Sequence, residues 1–310
     1  MTAVGGPFAA ALSTAAVLRL DPARTAAALG IAGSQAAGLF EFIADGSSAK
    51  HIHGGWPAHA GLVAVEFARA GMTGPETIFE GRRGFYRAYA RTEEAGERLA
   101  ALTETLGLDW HLPETAVKLY PCCHYVQPFV ECLEELLARG VPPEAIAEIH
   151  CRVAAEQAGL ICEPWSEKLH PATTYQAKWS LPYCLAARVA DGRLDVASFD
   201  RETPDERVLP IARKVRFTPA HDTGFPARYP GYIEVWTHRG ERHIAEVADS
   251  LGSPKRPLDD HALEAKFLAN TAGALTPGAM VAVLQELKTL DAVPNLHRLG
   301  AALRRVATQG

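Results

Sequence analysis

Apolar positions along the chain fall into three successive regimes. Up to about residue 112 they recur at helical spacing, and alanine dominates them. "PFAAALSTAAVLRL" predicts one helix beginning at Pro7, and Asp21 followed by Pro22 predicts an N-cap and first turn for a second, running to Gly30. A third is predicted from Pro57 to about Ala70, ahead of Gly71, with a loop and short helix following in "GMTGPETIFEGRRGFYRAYA". So many alanines allow the helix axes to approach closely.

The pattern changes at "LPETAVKLYPCCHYVQPF". Phe129, Val130, Leu133, Leu136 and Leu137 repeat at the helical period and predict a helix that stops at Gly140. Ile146, Ile149, Cys151 and Val153 suggest a strand, and "GYIEVWTHRGERHIAEV" reads as a hairpin turning at "HRGE". Between them "SLPYCLAARVADG" reads as a helix and "DERVLPIARKVRF" as a helix running into a strand. After the linker "SLGSPKRPLDD", helices return from Asp260 to about Val306. The expected fold class is therefore α with an inserted α+β part. Both chain ends, residues 1–112 and 256–310, form a large all-helical domain; residues 113–255 form a smaller α+β domain with an antiparallel sheet.

Composition narrows the function classes. A chain of 310 residues that is 48% hydrophobic can bury a large core. Its net charge of -5 and the lack of any run of five like charges exclude a nucleic-acid footprint and point to a small partner. The six cysteines lie between Cys122 and Cys184 without CxxC or CxxH spacing, and with no secretory leader they read as reduced thiols in a cytoplasmic protein. The apolar opening is too short to span a bilayer, so membrane insertion is not expected.

Three segments could carry chemistry. In "DGSSAKHIHGGWPAHAG", Lys50, His51 and His53 sit between Gly46 and the Gly54–Gly55 pair, where the backbone can approach a ligand. A compact ammonium beside imidazoles that titrate near neutrality suits a carboxylate. A solvated glycine-rich connection is the competing reading. No metal is expected, because the spacing of His51 and His53 does not suit a helical ligand pair and no third ligand is apparent. In "VKLYPCCHY", Lys118, Cys122, Cys123 and His124 gather at a helix start, which favours anions. A turn with buried cysteines and a Cys–His nucleophile are the alternatives there. Tyr183 is either a hydrogen-bond donor in a cleft or a core residue whose hydroxyl meets backbone.

Taken together, "GIAGSQAAGLFEFIADGSSAKHIHGGWPAHAGLVAVEFARAGMTGPETIFEGRRGFY", "KLYPCCHY", "AKWSLPYCLAARVADGR" and "FPARYPGYIEV" resemble the MmgE/PrpD family in order and spacing, across essentially the whole chain. That family includes 2-methylcitrate dehydratase, cis-aconitate decarboxylase and an iminodisuccinate epimerase. The resemblance implies a helical domain with an α+β lid, a homodimer, an active site between the domains, and no cofactor. It matches Lys50 to an active-site lysine, Lys118 to the lysine opening the lid segment, and Tyr183 to a tyrosine facing the substrate. Cys123 stands where the decarboxylase branch has a histidine, and Gln127 where many relatives carry another. Relatives also have a longer N-terminal helical stretch, which implies a shortened chain or a separate subunit that supplies the rest.

The expectation that follows is a lyase of the 2-methylcitrate dehydratase type acting on a small polycarboxylate. Lys50 and Lys118 would bind carboxylates, His53 would act as acid or base and Tyr183 as a donor, with His51, Cys122, Cys123 and His124 lining the substrate. An epimerase, a cis-aconitate-type decarboxylase and an incomplete, partner-dependent chain are the alternatives.

Overall fold

Small side chains set the packing of the first of two units into which the chain divides, residues 1–111 and 112–310. The computed structural model describes residues 2–90, 99–200 and 203–304. In the first unit α1 (Thr2–Val17), α2 (Pro22–Gly33) and α3 (Ile52–Arg69) pack around Phe8, Ala11, Ala15, Ala64 and Val65. The Asp21 carboxylate accepts the Arg24 N–H at 2.8 Å, the predicted cap. A Cβ on Gly61 of α3 would lie 2.4 Å from the Ala10 Cβ and 2.6 Å from the Ala11 nitrogen of α1. At that crossing the helices approach as closely as backbones allow.

Two helix starts differ from expectation. α1 and α3 begin at Thr2 and Ile52 rather than at Pro7 and Pro57, so both prolines lie inside helices. A proline this near a helix start costs one backbone hydrogen bond, and tertiary contact offsets it. Pro57 is buried where a Cβ on Gly6 would approach to 2.6 Å. Gly54 and Gly55 consequently belong to α3, not to a turn.

In the second unit β1 (Ile146–Ala154), β2 (Val215–Ala220), β3 (Gly231–Thr237) and β4 (Arg242–Val247) form one sheet in the order β2-β1-β3-β4. The predicted hairpin is β3–β4, and β1 pairs antiparallel with β3. However, β1 and β2 run parallel, with Ile149 opposite Val215, so the sheet is mixed and not the antiparallel sheet expected. The reason is the connection between them. Parallel neighbours need a long crossover, and residues 155–212 supply one, rich in helix. α4 (Gln127–Ala138) lies on β3 and β4, and α5 (Leu181–Asp191) follows within the crossover. Ile149, Cys151, Ile233 and Val235 share a core with Phe129 and Leu133 of α4. On β1, exposed or half-buried residues alternate with these, and His150 Nε2 meets Thr218 Oγ1 at 2.8 Å on that side.

The predicted return to helix is α6 (Asp260–Thr271), α7 (Pro277–Lys288) and α8 (His297–Leu303), with α6 and α7 capped by the side chains of Asp259 and Thr276. Leu275, Ala279, Val283 and Ala302 form a small cluster of their own. Among the described residues, no helix is long and apolar enough to cross a membrane.

Candidate functional site

The first unit builds its lysine loop from a tight turn. Gly46 closes the short helix Phe42–Asp45 with φ +69° and donates to Phe42 O at 2.9 Å, a conformation that a side chain would strain. The Asp45 carboxylate then accepts the Ser47 N–H at 2.8 Å, and a single 3-10 turn, Ser48–His51, leads into α3. This seats Lys50 Nζ 4.9 Å from the centre of the Phe40 ring and 5.5 Å from that of Phe42. Among the described residues the ammonium has these two ring faces as partners and no carboxylate or carbonyl within hydrogen-bond reach. His53 is buried on α3, its ring edge-on to Phe42 at 5.6 Å. Burial, and then the Lys50 charge, hold its pKa below the ordinary imidazole value of 6.5. His51, one turn position away, is exposed. Lys50 and His53 thus form an ammonium–imidazole pair.

The second unit pairs a lysine with a histidine differently. Gln127, buried at the start of α4, accepts the Tyr120 N–H at 2.9 Å and donates to Tyr120 O, Cys122 Sγ and Cys123 O at 3.0, 3.2 and 3.5 Å. Its amide therefore clamps the whole Tyr120–Cys123 segment. Lys118 donates to Cys122 O at 3.0 Å, and the Cys123 N–H donates to Lys178 O at 2.8 Å. Both thiols are buried, and burial pushes the Cys123 thiol up to about 11, so at neutral pH it is not a thiolate nucleophile. His124 stands at the edge of this segment with its ring 5.1 Å from that of Tyr229, edge to face. Burial, then the Lys118 charge, lower its pKa.

Tyr183 lies in the core of the second unit, where its hydroxyl accepts the Asp205 N–H at 2.8 Å. That is the core placement weighed above. Its neighbour Cys184 is buried and donates its thiol to Ala177 O at 3.4 Å. Lys168, which the sequence did not single out, donates to Leu160 O at 2.7 Å and Trp179 O at 3.1 Å, and burial lowers its pKa. Its acceptors are backbone carbonyls from two other turns of chain, for which a sequence carries no local signal. Among the described residues no group of three or more His, Cys, Asp or Glu side chains could hold a metal ion.

Chemically, each unit offers one ammonium and one neutral imidazole, a combination able to hold a carboxylate and to carry a proton.

Comparison with known proteins assigns the chain. The MmgE/PrpD N-terminal domain matches residues 1–98 and the MmgE/PrpD C-terminal domain residues 120–289. A cis-aconitate decarboxylase of Aspergillus terreus is 27% identical over 97% of this chain and 64% of its own length. A cis-aconitate decarboxylase-like protein, oryM, of Aspergillus oryzae is 26% identical over 85% of this chain and 56% of its own length. The cis-aconitate decarboxylase of Homo sapiens is 23% identical, over 97% and 62% respectively. The chain thus spans about three fifths of the length of these relatives. With both domains matched in order, the second over more than half of the sequence, the chain belongs to the MmgE/PrpD family.

Proposed function

We propose that this chain acts as a lyase on a small polycarboxylate, and that its reaction is decarboxylation of a substrate of the cis-aconitate type. The observation that carries the reading is Lys50: an ammonium seated on two aromatic faces, with its N–H groups uncommitted among the described residues and a neutral imidazole beside it. The relatives matched over nearly all of this chain are cis-aconitate decarboxylases, which ranks decarboxylation ahead of the dehydration expected from the sequence.

The chemistry asks for few parts. Loss of CO2 leaves an electron pair that conjugation spreads towards a remaining carboxylate, and a proton must then be added at carbon. An ammonium such as Lys50 stabilises that carboxylate as its charge grows, worth roughly 3 kcal/mol for a well-aimed donor. A histidine, His53 or His124, takes a proton from solvent and, as imidazolium, delivers it to that carbon, returning to the neutral ring. The chain's own side chains supply both functions.

The test is NMR in D2O of cis-aconitate, 2-methylcitrate and iminodisuccinate with the chain and with Lys50→Ala. The expected outcome is CO2 loss from cis-aconitate with deuterium at the new C–H bond, reduced about 100-fold or more in the variant. Water loss from 2-methylcitrate alone would replace decarboxylation by dehydration, and exchange without either product would indicate an epimerase. No reaction of the folded chain with any of the three would overturn the lyase reading.

A further inference from the structure

A cleft of ≈ 290 Å³ lies within the second unit, lined among others by His124, Arg228, Tyr229, Asp249, Ser253 and Lys255. Its cations are arranged in an unusual way. Arg228 Nε and Lys255 Nζ approach opposite oxygens of the single Asp249 carboxylate at 3.8 and 3.7 Å, beyond hydrogen-bond distance. Among the described residues neither side chain makes a hydrogen bond, so two cations point at one anion with their N–H groups unspent. The Ser253 hydroxyl oxygen is buried and has no hydrogen-bond partner among the described residues. A buried hydroxyl left in that state is costly, and a ligand oxygen would relieve it.

The loop that carries Asp249, Ser253 and Lys255 is tied down by several hydrogen bonds. Glu131 of α4 accepts from the Arg256 guanidinium at 2.6 Å and from the Leu251 N–H at 2.8 Å, while Arg256 also donates to Asp249 O at 2.7 Å. Gly252, at φ +86°, accepts the Val117 N–H at 2.7 Å, and a Cβ there would meet Val117 O at 2.1 Å. The loop is therefore bonded to the residue preceding Lys118.

We propose that this cleft is a carboxylate-binding subsite, in which Arg228 and Lys255 hold one carboxylate of the substrate, Ser253 Oγ donates to it, and His124 is the proton carrier facing the bound molecule. The inference rests on the polycarboxylate reading above. Asp249 marks where an anion sits and competes with the ligand for both cations. It also restricts the subsite to ligands that carry enough negative charge to displace it.

Tricarballylate, a tricarboxylate without the double bond of cis-aconitate, serves as a non-reacting probe. Its affinity is measured by titration calorimetry for the native chain, Arg228→Gln, Lys255→Gln, Asp249→Asn and, as a control on the polar sheet side, Arg152→Gln. The ring signal of His124, assigned by its loss in His124→Gln, is followed by NMR. We expect binding that shifts the His124 signal, that weakens about tenfold or more in Arg228→Gln and in Lys255→Gln, that tightens in Asp249→Asn, and that Arg152→Gln leaves unchanged. Unchanged affinity in the two cation variants, or no binding at all, would overturn the subsite. Turnover of cis-aconitate with native KM in both variants would sink the subsite and leave the lyase standing. Tricarballylate binding lost in both, without turnover of any substrate, would do the reverse.

Discussion

The two lysine–histidine pairs are built on opposite principles. Lys50 rests on the faces of Phe40 and Phe42, and the helix that carries His53 is positioned by alanines and glycines packed nearly backbone to backbone. Lys118 is tied to Cys122 O, in a segment that Gln127 holds through four hydrogen bonds. Aromatic faces attract a cation without using its donors, whereas a carbonyl uses one. The first arrangement leaves an ammonium open to a ligand, and the second fixes one in place. The first therefore depends on shape and the second on polar satisfaction, and each is vulnerable to a different substitution.

The largest effect is expected where shape decides. Gly61→Leu must push α1 and α3 apart and should lower unfolding free energy by about 3 kcal/mol. Urea denaturation measures it, and a loss below about 1 kcal/mol would mean that the small-residue crossing is not what holds α3. In the second unit Gln127→Met keeps length but strands the Tyr120 amide and carbonyl, for an expected loss of about 2 kcal/mol. If Gln127→Met is neutral, the amide clamp is not what holds Lys118. Next in size is Lys50→Met, which forfeits a half-buried cation–π contact of about 0.5–1 kcal/mol, so stability hardly moves while turnover falls. A large stability loss would instead make Lys50 a structural residue.

The smallest effect is in the pH profile, and it tests both pairs at once. His53 and His124 are held below 6.5 in the folded chain, whereas the unfolded chain takes up their protons near that value. As pH falls below 6.5 the unfolded state binds more protons, so stability declines and then levels off below the folded values. His53→Gln and His124→Gln should each flatten part of that slope in melting experiments from pH 7.5 down to about 5. A slope unchanged in both variants would remove burial of neutral imidazoles from either pair.

Much of the secondary structure was legible because the signals are local. Asp21–Pro22 marked a capped helix, the spacing of Phe129, Leu133 and Leu136 marked α4, and "HRGE" marked the hairpin tip. Pro7 and Pro57 misled because a helix can start upstream of a proline when the ring is buried against a neighbour, and that neighbour is distant in sequence. The candidate residues divide in the same way. Lys50, His53, Lys118 and His124 were visible as residue types in permissive segments, but the roles of Gln127 and Lys168 and the convergence of Arg228 and Lys255 on Asp249 were not.

The sequence by itself determined the family, the alternation of helical and strand segments, and the presence of two lysine–histidine segments, because periodicity, caps and motif order act over a few residues. Only the tertiary structure decided that β2 joins β1 in parallel, that the Tyr183 hydroxyl accepts the Asp205 N–H, and that among the described residues one ammonium is open while the other is bonded. Those outcomes depend on which backbone carbonyls, ring faces and carboxylates arrive from elsewhere in the chain, and long-range contacts of that kind leave no local trace.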